Sequence, residues 1–180
     1  MYIHLCSADS LKHHKQNTVT RFTIKLPEHL TFTGHGWMCG LSQIELRNVG
    51  AIQYAENAET NKDNNTPFSI YIASDIVDHT HTGFGKFQIL KRLPVFHHDG
   101  KGYSTSDRKN IMTETFNPIS YTPLRLACFS EIDIYLKGDN WKSLNLSGVL
   151  DNDGETIQPR LYCALHLIQR HGGKGKICHY

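Results

Sequence analysis

Residues 117–136, NPISYTPLRLACFSEIDIYL, and residues 158–169, QPRLYCALHLIQ, decide how this chain folds. In the first, Ile132, Ile134 and Leu136 alternate with Asp133 and Tyr135. In the second, Leu161, Cys163, Leu165 and Leu167 alternate with Tyr162, Ala164, His166 and Ile168. A β-strand turns successive side chains to opposite faces, so this alternation marks a strand with one face in a core. The stretch between them, residues 138–155, holds two turn signals, Gly-Asp-Asn and Asp-Asn-Asp-Gly.

Working outward, the same period recurs. Residues 18–26 set Val19, Phe22, Ile24 and Leu26 among threonines and charged residues. Residues 37–49 carry Leu41, Ile44, Leu46 and Val49, enough for one bent strand or two. Phe68, Ile70 and Ile72 share one face of a short strand, with Tyr71 on the other. Residues 85–96 contain Phe87, Ile89, Leu90, Leu93, Val95 and Phe96. Residues 111–121 are rich in Thr and Phe, with Pro118 marking an edge or an end. With residues 2–6 added, this makes about eight strands. The best helical segment, residues 104–110, is short, charged and without an apolar stripe. Residues 53–66 and 97–110 read as long polar loops. The expected fold is all-β, a two-sheet antiparallel sandwich forming a single jelly roll of about eight strands. Residues 1–171 form the domain, and residues 172–180 a basic, Gly-rich C-terminal tail. Trp37, Leu41, Ile132, Ile134, Leu165 and Leu167 are the expected core.

The 180 residues suit one domain with one sizeable core. A net charge of +2 is too small to announce a nucleic-acid binder. No apolar run approaches the roughly 18 residues of a membrane span. Residues 1–14 lack an apolar core of signal-peptide length, which implies folding in the cytosol or nucleus. Cys6, Cys39, Cys128, Cys163 and Cys178 are odd in number and without C-x-x-C spacing, so free thiols are expected.

Catalytic constellations are hard to find. His79 and His81 have a spacing used by metal sites, and His166 lies on the last strand. Cupin enzymes combine a jelly roll with such a pair, but they also need a nearby Glu, and the next here is Glu114. His97-His98-Asp99 reads as a turn. The Ser-Asp pairs at Ser74 and Ser106 lack a nucleophile elbow. Cys39 sits in an apolar strand and reads as core. Gly83-Phe84-Gly85-Lys86 lacks the third glycine and the helix of a phosphate cradle. Residues 151–155 lack calcium-loop spacing and read as a turn. No metal or other cofactor is expected.

Two parts of the chain carry a family resemblance. Near the start, a Leu26-Pro27 step precedes Trp37-x-x-Gly40-Leu41-x-x-Ile44. Near the end, Asn117-Pro118 and Tyr121-x-Pro123 lead into residues 129–136, and the last strand holds Leu165-His166-Leu167. In these features the chain resembles the single jelly-roll penton, or vertex, capsid proteins of Polinton (Maverick)-type viruses and their adintovirus relatives. It departs from them in its longer loop before the last strand and in the tail HGGKGKICHY, and its middle is unmatched.

The resemblance implies a structural viral capsid protein, not an enzyme, that forms a homopentamer at icosahedral vertices. Its partners would be its own copies and a major capsid protein, and its place the virion, assembled in the host nucleus or cytoplasm. Arg170, Lys174 and Lys176, helped by His171 and His179, are candidates for contacts with a neighbouring subunit or packaged nucleic acid. Each such contact is weak alone, but a ring would multiply it fivefold by avidity. Residues 1–14 and 170–180 are expected near contacts with a second capsid protein. The alternatives are a minor or cement protein, a receptor-binding β-sandwich using Tyr54, Tyr103 and Trp141, or, more remotely, a cupin-type metalloenzyme.

Overall fold

The structure is a computed structural model that describes residues 1–55, 67–83, 85–95, 111–151 and 153–170, with only the backbone of Ile111. The strands in chain order are β1 (Tyr2–Cys6), β2 (Arg21–Thr31), β3 (Trp37–Arg47), β4 (Ala51–Tyr54) and β5 (Ser69–Ser74). Next come β6 (Thr80–Thr82), β7 (Gly85–Phe87), β8 (Ile89–Pro94), β9 (Ile111–Thr115) and β10 (Tyr121–Pro123). The last are β11 (Cys128–Lys137), β12 (Leu144–Ser147), β13 (Val149–Leu150), β14 (Thr156–Ile157) and β15 (Arg160–Gln169). A one-turn helix, α1 (Ser7–Ser10), and a 3-10 turn (Asp139–Trp141) complete the elements.

Two antiparallel sheets carry the architecture. The first runs β1-β15-β3, with β9 and β10 together lining the far side of β3; the second runs β2-β11-β5-β8. Taking β9 and β10 as one interrupted strand, the first principal strand pairs with the last, the second with the seventh, the third with the sixth and the fourth with the fifth. This is a long antiparallel ribbon folded across itself, closed by the β15–β3 and β11–β5 ladders. The result is the jelly roll expected from the alternation.

The loops gather at two ends. At one, Leu124 N–H donates to Trp37 O (2.9 Å) and Arg125 N–H to Ile76 O (2.8 Å), joining three connections. At the other, Leu161 N–H donates to Ser7 Oγ (3.0 Å), and β4 pairs with β12.

Irregular ladders keep apolar residues inward. Between β3 and β15, Gln43 faces Ala164 while Leu41 faces Leu165, so Ser42 is a bulge residue. Its Oγ donates to Ala164 O (2.9 Å). The extra residue changes parity, which lets Cys39 and Leu41 before it, and Ile44 and Leu46 after it, all face the core. Leu90 plays the same part opposite β5 and is buried. On β2, residues 26–29 leave the ladder to β11; Pro27, with no N–H to give, sits in that excursion.

Phe22, Leu41, Ile44, Ile72, Ile132, Ile134, Leu161 and Leu165 are fully buried between the sheets. Each contributes about 1.5–3 kcal/mol relative to exposure. Three expectations change. Trp37 is only half-buried: its indole N–H donates to Thr33 O (3.0 Å) at the end of the sandwich while its ring meets Phe32 edge-on. Phe68 precedes β5 rather than belonging to it, and is 74% exposed, because its N–H donates to Asp139 Oδ2 (2.7 Å) before the ladder begins. The expected strand over 85–96 is two strands broken at Gln88, the first folded into a hairpin with β6. The segment 104–110 lies outside the described residues.

Candidate interaction surfaces

On the outer face of the first sheet, one row runs Tyr2 (β1), His166 (β15), Gly40 (β3) and Tyr121 (β10). Tyr2 stacks on His166 with ring centroids 4.2 Å apart, and Tyr121 Oη shares a hydrogen bond with His166 Nδ1 at 2.7 Å. Burial, and then the positive Met1 amino group, hold the His166 pKa below the usual histidine value. The next row is Ile168, Met38 and Pro123. Exposed Met1 and Tyr2 extend this face at its edge. Further along, Glu45 pairs with Arg47, whose guanidinium lies 5.2 Å from the Tyr162 ring centroid. This half-apolar, aromatic sheet face suits packing against another protein surface.

On the second sheet's outer face, one polar cluster is hydrogen-bonded within itself. Asp133 accepts Thr23 Oγ1–H (2.5 Å) and Tyr135 Oη–H (2.7 Å), while its own N–H donates to Asp75 Oδ1 (2.9 Å). Burial is the main cause that raises the Asp75 carboxyl, and burial followed by the Asp133 hydrogen bond and charge raises the Tyr135 phenol. Phe87 stacks on Trp141 at 4.0 Å on the same sheet's Tyr71 side.

Asp139 ties the loop end together. Its Oδ2 accepts Tyr54 Oη–H (3.0 Å), Phe68 N–H (2.7 Å) and Ser69 N–H (3.3 Å). Burial first, and then Asp139, push the Tyr54 phenol up to about 12. Of the three aromatics suggested for receptor binding, Tyr54 and Trp141 are therefore engaged within the fold, and Tyr103 lies outside the described residues.

His79 and His81 are exposed, and His79 Nδ1 lies 3.7 Å from Asp78 Oδ1. His166 is held by Tyr2 and Tyr121 on an outer face. No three His, Cys, Asp or Glu side chains come together as a metal site among the described residues. Cys39 and Cys163 are buried, and burial pushes both thiols up to about 12. Asp151 Oδ1 accepts the N–H groups of Asp153 (2.9 Å) and Glu155 (2.8 Å), a side-chain-braced turn. Arg170 is exposed and its N–H donates to Gly36 O (2.9 Å). Lys174, Lys176, His171, His179, Cys178, Ser106 and His97-His98-Asp99 lie outside the described residues.

Sequence reasoning missed the Tyr121–His166 bridge and a groove beside Lys15 and Arg21. The bridge depends on which strands are neighbours. For the groove, the cation-rich stretch Lys12-His13-His14-Lys15 was the available signal.

No protein-family model and no curated protein sequence matches the chain. Its structure is similar to the crystal structure of the mavirus penton protein, with a TM-score of 0.52 and 8% sequence identity. The likeness covers 94% of this chain and 100% of that one. At this identity the likeness is one of fold: the chain has the jelly-roll fold of the mavirus penton protein.

Proposed function

We propose that the chain is a structural capsid protein, a penton-like subunit that forms a homopentamer at the icosahedral vertices of a virion. The observation that carries this reading is the shared fold over nearly the whole length of both chains. The outer face of the first sheet supports it. Tyr2, Met38 and Ile168 offer an apolar flank to a neighbour, and identical heterologous contacts close into a ring when the rotation returns to its start. A major capsid protein is the second partner. Arg170, Lys174 and Lys176 are assigned to contacts with a neighbouring subunit or packaged nucleic acid. Residues 1–171 are the jelly-roll domain and residues 172–180 its tail. The role needs no catalysis or cofactor, and assembly takes place in the host nucleus or cytoplasm.

Light scattering on the purified protein tests the assembly. A mass five times the chain's 20.5 kDa is expected. A monomer or trimer that persists at high concentration would favour the receptor-binding reading. A particle reconstruction that put the chain on two-fold or three-fold positions would make it a minor or cement protein.

A further inference from the structure

We propose that the loop before β2, together with the first residues of β2, forms an oxyanion site that takes a phosphate group. The inference is independent of the vertex reading. A groove of about 480 Å³ opens there, lined by His14, Lys15, Gln16, Asn17, Arg21 and Thr23. The walls are preformed. His14 N–H donates to Ser10 O (2.9 Å), and Asn17 N–H to His14 O (3.1 Å). The Asn17 side chain clamps the backbone of Thr23, donating to its carbonyl (2.9 Å) and accepting its N–H (3.2 Å). Thr18 and Arg21 exchange two backbone hydrogen bonds at the start of β2.

Most of the groups left over are donors. Lys15 and Arg21 have no carboxylate within ion-pair distance among the described residues. Arg21 stands over the Tyr135 ring at 5.7 Å, a face contact that leaves its five N–H donors unspent. The N–H groups of Lys15 and Gln16 have no backbone acceptor among the described residues. His14 Nε2 is buried without a hydrogen-bond partner, an arrangement that native structures satisfy with water or a ligand. The nearby carboxylates are already engaged: Asp9 pairs with Lys12 (3.4 Å), and Asp133 accepts from Thr23 and Tyr135.

Two successive amides, an ammonium and a guanidinium fork outnumber the roughly four acceptor positions of a carboxylate. A tetrahedral phosphate presents more acceptor oxygen and matches both the fork and the paired amides. The same chemistry belongs to free phosphate and to the phosphodiester backbone of a nucleic acid.

The test titrates isotope-labelled protein with inorganic phosphate at ionic strength held constant with sodium chloride, and in parallel with a single-stranded oligodeoxynucleotide. Saturable shifts of the Lys15 and Gln16 amide resonances are expected. The Lys15→Gln/Arg21→Gln double variant should bind at least tenfold more weakly. Binding of phosphate alone assigns the site to the free anion. Oligonucleotide binding that the double variant loses assigns it to the backbone. Lys15→Gln alone, at an exposed and unpaired position, reads the same loss should the double variant fold poorly. The proposal is overturned by the absence of saturable shifts in both arms, by equal affinity of variant and parent, or by chloride reproducing the shifts.

Discussion

Tyr121 and His166 meet at 2.7 Å across the strand that separates them, because that strand contributes Gly40 to their row. A Cβ at Gly40 would come within 2.6 Å of Ser120 O and 2.5 Å of Ile119 Cγ2. The glycine in the Trp-x-x-Gly-Leu motif is thus a place where backbone and side chains approach too closely for any other residue. Gly40→Ala is expected to destabilise the fold by about 1–3 kcal/mol through overpacking. Urea denaturation measures it, and an unchanged midpoint would show that β10 is free to move aside.

Acid should weaken the same bridge. His166 has a lowered pKa in the fold, so the unfolded chain binds its proton more readily. The contribution to stability is complete above the unfolded value of about 6.5 and is lost as pH falls through it towards the folded value. Between about pH 7.5 and about pH 5.5, the denaturation midpoint of the parent should fall further than that of His166→Gln. Parallel slopes would remove His166 from the acid response.

At the loop end, Asp139→Ala removes the acceptor of one phenol and two backbone N–H groups. A cost of about 1–3 kcal/mol is expected from the donors left behind. The Tyr54 pKa, about 12 in the parent, should move down towards the ordinary tyrosine value, as ultraviolet titration of the phenolate would record. An unmoved Tyr54 would leave burial as its sole cause.

Thiol labelling should separate the cysteines. Cys128 is exposed, whereas Cys39 and Cys163 are buried with thiols pushed up to about 12, leaving almost no reactive thiolate at neutral pH. Alkylation followed by peptide mapping should modify Cys128 in the native protein and Cys39 and Cys163 only on unfolding. Equal rates at all three would mean that the sandwich opens readily.

In the centre of the core, Leu165→Ala should cost about 2–5 kcal/mol, since the side chain is fully buried between two sheets. Chemical denaturation reads the loss. A change near zero would imply that neighbouring side chains collapse into the space.

The alternation in residues 132–136 and 161–168 was enough to determine strands and their inward faces, because side-chain direction has a period of two that any short window displays, and its recurrence in about eight segments pointed to a jelly-roll sandwich. Leu41, Ile132, Ile134, Leu165 and Leu167 were legible as core for that reason. Phe68 shows the limit: it matches the period but sits before the first ladder bond, where Asp139, distant in sequence, takes its N–H. The parity change at Ser42, the Tyr121–His166 bridge over Gly40 and the groove between Lys15 and Arg21 were decided only by the tertiary structure. Each depends on which residue lies across a ladder or loop, and β1 finds its partner in β15, more than 150 residues away in sequence. A local pattern reports the face a side chain takes; only the register between distant strands decides what it meets there.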